Sequence, residues 1–285
     1  MKNFLVRSAS AVVYAGLLIA GCLWWSPILY LTLAFLLVAA QHELKKLLGT
    51  DISNGLLITW NLVSLLLLTA GIAVFDEGLL FDKGDDYSYA FLIIFSPLVI
   101  SFLIVLFSTL SRKPARGLLT YFSVSLIYLV IPMMFVIGLQ GFEMSEGFSW
   151  LLVLLAAIWI NDTMAYITGS LIGKHKLIER ISPGKTWEGF FGGMIFTVAT
   201  LLIFNQIFFD FDMISLGIIA LVIVLSGTTG DLLESKLKRE AGVKDSGNII
   251  PGHGGVLDRI DSLLVAAPFT GIALIINDVI SNWNL

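Results

Sequence analysis

The chain has 285 residues, 57% of them hydrophobic and only 13% charged, with a formal net charge of −4 and a mean hydropathy of +0.92. A soluble domain carries roughly 25% charged residues, so this composition excludes one and places the chain in a bilayer. The single cysteine, Cys22, excludes an intramolecular disulfide and a cysteine-based zinc cluster, and no basic-aromatic surface points to nucleic acid.

Crossing ~30 Å of hydrocarbon takes about 20 residues of helix. Breaking the apolar runs at charges, Pro and Gly predicts nine spans: 9–25, 27–42, 55–75, 89–110, 117–138, 148–172, 189–209, 214–233 and 260–279. Ahead of the first, Lys2 and Arg7 suit a signal peptide, a lipoprotein signal or a first spanning helix. Ile19-Ala20-Gly21-Cys22 resembles a lipoprotein cleavage site, but Leu23-Trp24-Trp25 continues into more membrane where a lipidated protein has a polar tether. Ser26-Pro27 then separates two spans as a tight helical hairpin, because proline removes a backbone donor and restricts its predecessor. Further along, Gly169-x3-Gly173 and Gly189-x3-Gly193 read as sites of close helix packing.

With the amino terminus in the cytoplasm, segments 1–8, 43–54, 111–116, 173–188 and 234–259 fall on that side and hold 16 of the 17 Lys and Arg residues. The positive-inside rule therefore predicts amino terminus in and carboxyl terminus out. The expected fold is all-α and polytopic, one membrane-embedded domain over 1–285. Its helices up to residue 140 are followed by a 148–285 part whose connections carry the polar motifs.

The connection 234–259 is dense in opposite charges and glycine. Asp231, Asp258 and Asp261 bracket it, the last two spaced to share one face of a starting helix. Several carboxylates at a membrane surface need a cation, and oxygen ligands of this kind suit Mg²⁺, which completes its shell with water and substrate phosphates. Lys236, Lys238, Arg239, Lys244 and Arg259 offer charge to phosphate oxygens, and His253 offers a loop donor. Gly252, Gly254 and Gly255 let backbone approach a ligand. Upstream, Lys185 with the Ser182 and Thr186 hydroxyls reads as a second phosphate-binding group. A plainer reading makes Asp258–Arg259 and Lys244–Asp245 ion pairs that tie a loop down, with Glu188 a first-turn acid favoured by the helix dipole. Lys45, Lys46, Arg112 and Lys113 sit in connections without other polar motifs and read as headgroup contacts. Asp162, beside Asn161, lies mid-span, ~16 Å from the cytoplasmic end at 1.5 Å per residue, and should face a polar cavity or a hydrogen-bond partner.

The run Ser235-x-x-Lys238-Arg239-x4-Lys244-Asp245-x-Gly247-x3-Pro251-Gly252-His253-Gly254-Gly255-x-Leu257-Asp258-Arg259-x-Asp261 resembles the signature of the phosphatidate cytidylyltransferase (CDP-diacylglycerol synthase) family. Ser182-Pro183-Gly184-Lys185-Thr186-Trp187-Glu188-Gly189 resembles a second run of that family, and an aspartate followed by an aromatic, as in Asp162 and Tyr166, resembles a third feature. The resemblance implies a cytoplasm-facing site in a bacterial inner-membrane enzyme that uses CTP and phosphatidic acid to make CDP-diacylglycerol and pyrophosphate. It implies Mg²⁺ on Asp231, Asp258 and Asp261, with room for a second, monovalent cation. Asp231, Lys238, Asp245 and Asp258 become the catalytic candidates, Asp245 as the general base if one is used. Ser182, Lys185, Thr186, Ser235, Arg239, Lys244, His253 and Arg259 become the substrate-binding ones. Membrane lipid surrounds the chain, and a homodimer is compatible with it.

Rival readings are a CTP-dependent lipid kinase, a CDP-alcohol phosphotransferase and an ion-coupled transporter built on Asp162. The phosphotransferase motif Asp-x2-Asp-Gly-x2-Ala-Arg is absent, as is a Walker loop, and the transporter leaves the 234–259 signature unexplained.

Overall fold

A computed structural model describes residues 2–75, 117–145, 147–250 and 254–283. Helix α1 (Lys2–Leu23) stops before Trp25, and α2 (Ser26–Leu48) restarts with Pro27 in its first turn. A first-turn amide has no intrahelical partner, so the missing N–H is harmless there. Gly21 lets the two helices close, since a Cβ at that position would stand 2.5 Å from Leu29 N. The predicted hairpin is therefore present. α2 ends on Gly49 in the left-handed region, φ 59°, where glycine carries no Cβ penalty.

Helix α3 (Asn54–Phe75) is followed, after the stretch outside the described residues, by α4 (Leu118–Ser125). A π-helical turn, Leu126–Val130, carries the chain without a break into α5 (Ile131–Gly141). Pro132 in the first turn of α5 has no N–H for the carbonyl four residues back. The wider turn immediately ahead of it accommodates that gap. Strands β1 (Glu143–Ser145) and β2 (Phe148–Ser149) form a small antiparallel hairpin, followed by α6 (Trp150–Ile172). A second antiparallel hairpin, β3 (Lys176–Ile178) and β4 (Ser182–Thr186), leads into α7 (Trp187–Phe208). Helices α8 (Met213–Glu240) and α9 (Leu257–Trp283) complete the chain.

Among the described residues seven helical stretches are long and apolar enough to cross a membrane, which makes this an all-α, multi-pass protein. Eight of the nine predicted spans coincide with described helices, although only Val12–Leu23 of α1 counts as apolar helix and it is short. The ninth, 89–110, lies outside the described residues.

Burial shows which helices face protein and which face lipid. Leu263 to Ala267 are all buried in sequence, so this stretch of α9 is enclosed on every side; the helix packs along α8 and against α5, α6 and α2. Helix α7 does the reverse. Phe191, Ile195, Phe196, Ile203, Phe204 and Ile207 are exposed, while its small face meets α6: Gly189 approaches Gly169, and Gly192 approaches Thr168. Without a hydrophobic drive between helices in lipid, such close backbone contact and interhelical hydrogen bonds hold the bundle. Gln41 Nε2 donates to Ser64 Oγ (2.7 Å), Trp60 Nε1 to Ser125 Oγ (2.9 Å) and Tyr121 OH to Gln41 O (3.1 Å), tying α2, α3 and α4 together.

The bundle has two distinct ends. At one, Gln140 Nε2 donates to Cys22 O (3.1 Å), and Phe148 and Trp150 pack edge-on against Phe209 and Phe211, ring centres 5.1 Å apart in both pairs. At the other, the end of α2, the β3–β4 hairpin, the end of α8 and the start of α9 meet, and this end holds nearly all the residues singled out above.

Candidate active site

Asp231, Glu234, Ser235 and Lys238 sit on the last turns of α8 at spacings of three and four, which places them on one face. Ser235 Oγ donates to Asp231 Oδ1 (3.2 Å). Lys185 Nζ, reaching across from β4, stands 2.6 Å from Asp231 Oδ2. One step further along, Lys238 Nζ pairs with Glu234 and donates to Asp258 Oδ1 (2.6 Å) at the start of α9. Two lysine–carboxylate centres thus share one helix face, separated by about 10 Å for seven residues of rise. Glu234, which the sequence reading passed over, is fully buried; neither carboxylate oxygen has a well-aligned hydrogen bond, and the Lys238 ion pair offsets its charge.

The β3–β4 hairpin is held so that Lys185 points at α8. Thr186 is the N-cap of α7, its Oγ1 accepting from Gly189 N (3.1 Å). It is buried against Gly169 and Gly173, so the candidate phosphate ligand is committed to a helix cap. Glu188 does more than answer a dipole: it accepts from Lys174 N (3.1 Å), His175 N (3.2 Å) and His175 Nδ1 (2.6 Å), pinning the start of the hairpin to the start of α7. Lys176 Nζ donates to Pro183 O (2.7 Å), and Arg239 Nε reaches Ile181 O (3.3 Å), bridging hairpin and α8. Ser182 is half-buried in β4, where it pairs with Ile178.

Asp258 is the hub of the loop. Besides Lys238 on Oδ1, its Oδ2 accepts from Gly255 N (2.8 Å), Ser246 N (3.0 Å) and Ser246 Oγ (3.1 Å). Lys238 thus engages Oδ1 while the loop donors crowd onto Oδ2, so both oxygens of Asp258 are already committed to the protein. Asp261 points elsewhere: Gly230 of α8 packs onto its carbonyl oxygen, and its Oδ1 accepts from Ser262 N (2.8 Å). Asp231, Asp261 and Asp162 lie close enough for their charges to act on one another. Among the described residues no three His, Cys, Asp or Glu side chains converge as a ready metal cluster. Among the described residues the predicted trio does not converge: Asp258 is turned to the loop, while Asp231 and Asp261 stay within electrostatic reach of one another.

Lys244 and Asp245 are exposed on the loop, Asp245 beside Gly254, and Arg259 is exposed on α9. His253 lies outside the described residues. Asp162 lines a pocket with Asn161, Ser262 and Gly227, within electrostatic reach of Lys185, and thus belongs to the inner margin of the same region. Sequence reasoning also missed Glu43 of α2. It is 1% exposed, and it accepts from Val256 N (3.0 Å), Leu257 N (2.9 Å) and Ser246 Oγ (2.9 Å).

The chain is 41% identical over 183 residues to a phosphatidate cytidylyltransferase of Staphylococcus saprophyticus, an alignment covering 63% of this chain and 68% of that one. To the phosphatidate cytidylyltransferase of Staphylococcus epidermidis it is 50% identical over 133 residues, covering 46% of this chain and about half, 51%, of the relative. A Staphylococcus aureus protein of the same name is 41% identical over 184 residues, with 63% and 68% covered. Residues 5–276 match the cytidylyltransferase family, and with nearly the whole length matched, the chain belongs to that family of nucleotidyltransferases.

Proposed function

We propose that the chain transfers the cytidylyl group of CTP to phosphatidate, giving CDP-diacylglycerol and pyrophosphate, on the cytoplasmic side of a bacterial inner membrane. The observation that carries this reading is the pair of centres Lys185–Asp231 and Lys238–Asp258, gathered at one end of a membrane-spanning bundle in a cytidylyltransferase. Soluble nucleotide can reach that end, and a lipid phosphate lies at the same depth. The segments 43–54, 173–188 and 234–259, rich in Lys and Arg, meet there, which supports its assignment to the cytoplasm.

In the reaction a phosphatidate oxygen forms a bond to the α-phosphorus of CTP, the bond from that phosphorus to the bridging oxygen breaks, and its electron pair leaves on pyrophosphate. Two anions must meet, and unit charges ~4 Å apart repel by about 4 kcal/mol at an effective dielectric near 20. Lys185 and Lys238 face that repulsion with positive charge, each held in place by a carboxylate beforehand, so little reorganisation is left for the reaction itself. Asp231 and Asp261 would hold Mg²⁺, which supplies further charge neutralisation on the triphosphate. The phosphate monoester is already nucleophilic at neutral pH, and Asp245, exposed on the loop, is the base should one act.

The purified chain should release pyrophosphate from CTP only when phosphatidate is present. Release of CDP instead, with phosphate appearing on the lipid, would make it a lipid kinase.

A further inference from the structure

We propose that Glu43 is a positioning residue for the reaction, a buried carboxylate from α2 that sets the catalytic loop and, through it, the place of Lys238. The inference rests on the transferase reading above. Glu43 binds the amide of Val256, immediately ahead of α9, and that of Leu257, its first residue, two donors at the helix start without intrahelical partners. An anion at this end of a helix is also favoured by the helix dipole.

The third partner gives the carboxylate its reach into the site. Ser246 Oγ stands 2.9 Å from Glu43 Oε2 and 3.1 Å from Asp258 Oδ2, so one hydroxyl links both carboxylates, and its single proton can serve one of them at a time. Asp258 in turn holds Lys238 at 2.6 Å. The chain Glu43, Ser246, Asp258, Lys238 therefore runs from the second helix to the lysine that faces substrate phosphate.

Two signature glycines are explained by the same contact. A Cβ on Gly247 would enter the Glu43 carboxylate, and one on Gly255 would stand 2.6 Å from Glu43 Oε2. These glycines are needed for close approach to Glu43 as well as for any approach to ligand.

The test uses full-length Glu43→Gln and Ser246→Ala, each also combined with the other, in lipid nanodiscs at matched folded protein. Glutamine keeps the size but sets an amide against amide donors. Backbone hydrogen exchange at 254–258 should quicken at least about tenfold in Glu43→Gln with α7 unchanged, a readout that needs no activity. Turnover should fall at least about tenfold with KM for CTP within about threefold, and the double variant should be no worse than the worse single one, because both break one linkage. Glu43→Asp should restore part of the turnover. Wild-type exchange at 254–258 in Glu43→Gln would overturn the positioning role whatever the reaction proves to be. Altered exchange with native turnover would confine Glu43 to stability and equally refute the proposal.

Discussion

Lys185 Nζ and Asp231 Oδ2 lie 2.6 Å apart, joining a β-hairpin to the end of a spanning helix 46 positions later in the chain. Both side chains are about a third exposed, so the pair is accessible to solvent and to a ligand, and its value for stability alone is small. Its placement favours a role in the reaction. Lys185→Gln and Asp231→Asn should each lower turnover at least about tenfold, and the double variant should be within about threefold of the worse single one, as expected for coupled groups. Steady-state kinetics of the three variants would show it; additive losses would mean the two act separately.

Lys238 is nearly enclosed between Glu234 and Asp258, whereas Lys46 of α2 is exposed. Lys238→Gln should cut turnover at least about tenfold, about 1.4 kcal/mol of transition-state stabilisation, and Lys46→Gln should leave it almost unchanged. Equal losses would reduce the basic residues to general attraction for anionic lipid.

Thr186 separates capping from substrate binding. Thr186→Val keeps the shape but removes the acceptor for Gly189 N, which should cost about 1 kcal/mol of stability while turnover per folded molecule stays within about twofold. Thermal unfolding paired with kinetics measures both. A tenfold fall in turnover at unchanged stability would return Thr186 to the phosphate site.

Glycine substitutions on one helix should have opposite effects. On α8, a Cβ at Gly230 would run into the Asp261 carbonyl, whereas one at Gly217 meets nothing within 4 Å. Gly230→Ala should destabilise by about 1–3 kcal/mol, as overpacking does, and should lower activity by prying α8 from α9. Gly217→Ala should be neutral or gain up to about 1 kcal/mol. Melting curves in one detergent decide between this and a uniform response.

Much of this architecture could be read from sequence because lipid imposes a length and a composition on every span. Proline at Pro27 and the small faces around Gly169 and Gly189 acted as their chemistry dictates. The hairpins were missed because Lys176–Ile178 and Ser182–Thr186 are too short to show alternation and contain Pro and Gly. Thr186 followed two residues later by Glu188 at the edge of an apolar run is a legible helix start, consistent with Glu188 as a first-turn acid, while the capping role of the Thr186 hydroxyl competes with its reading as a phosphate ligand. Glu43 carried no such signal. Beside Lys45 and Lys46 it looks like one more headgroup contact, and its partners lie more than 200 residues away. Asp258 and Asp261 share a spacing but not a direction, because the loop donors claim the first and α8 packs against the second.

The most direct test follows the label. CTP carrying radioactivity at its α-phosphorus is incubated with the purified chain, phosphatidate and Mg²⁺; labelled lipid is counted, and the unlabelled pyrophosphate is measured in parallel by a coupled enzymatic assay. Labelled lipid and pyrophosphate should appear in equal molar amounts, dependent on phosphatidate and reduced at least about tenfold by Asp231→Asn. Lipid that stays unlabelled while pyrophosphate is released, or full labelling by Asp231→Asn, would contradict it.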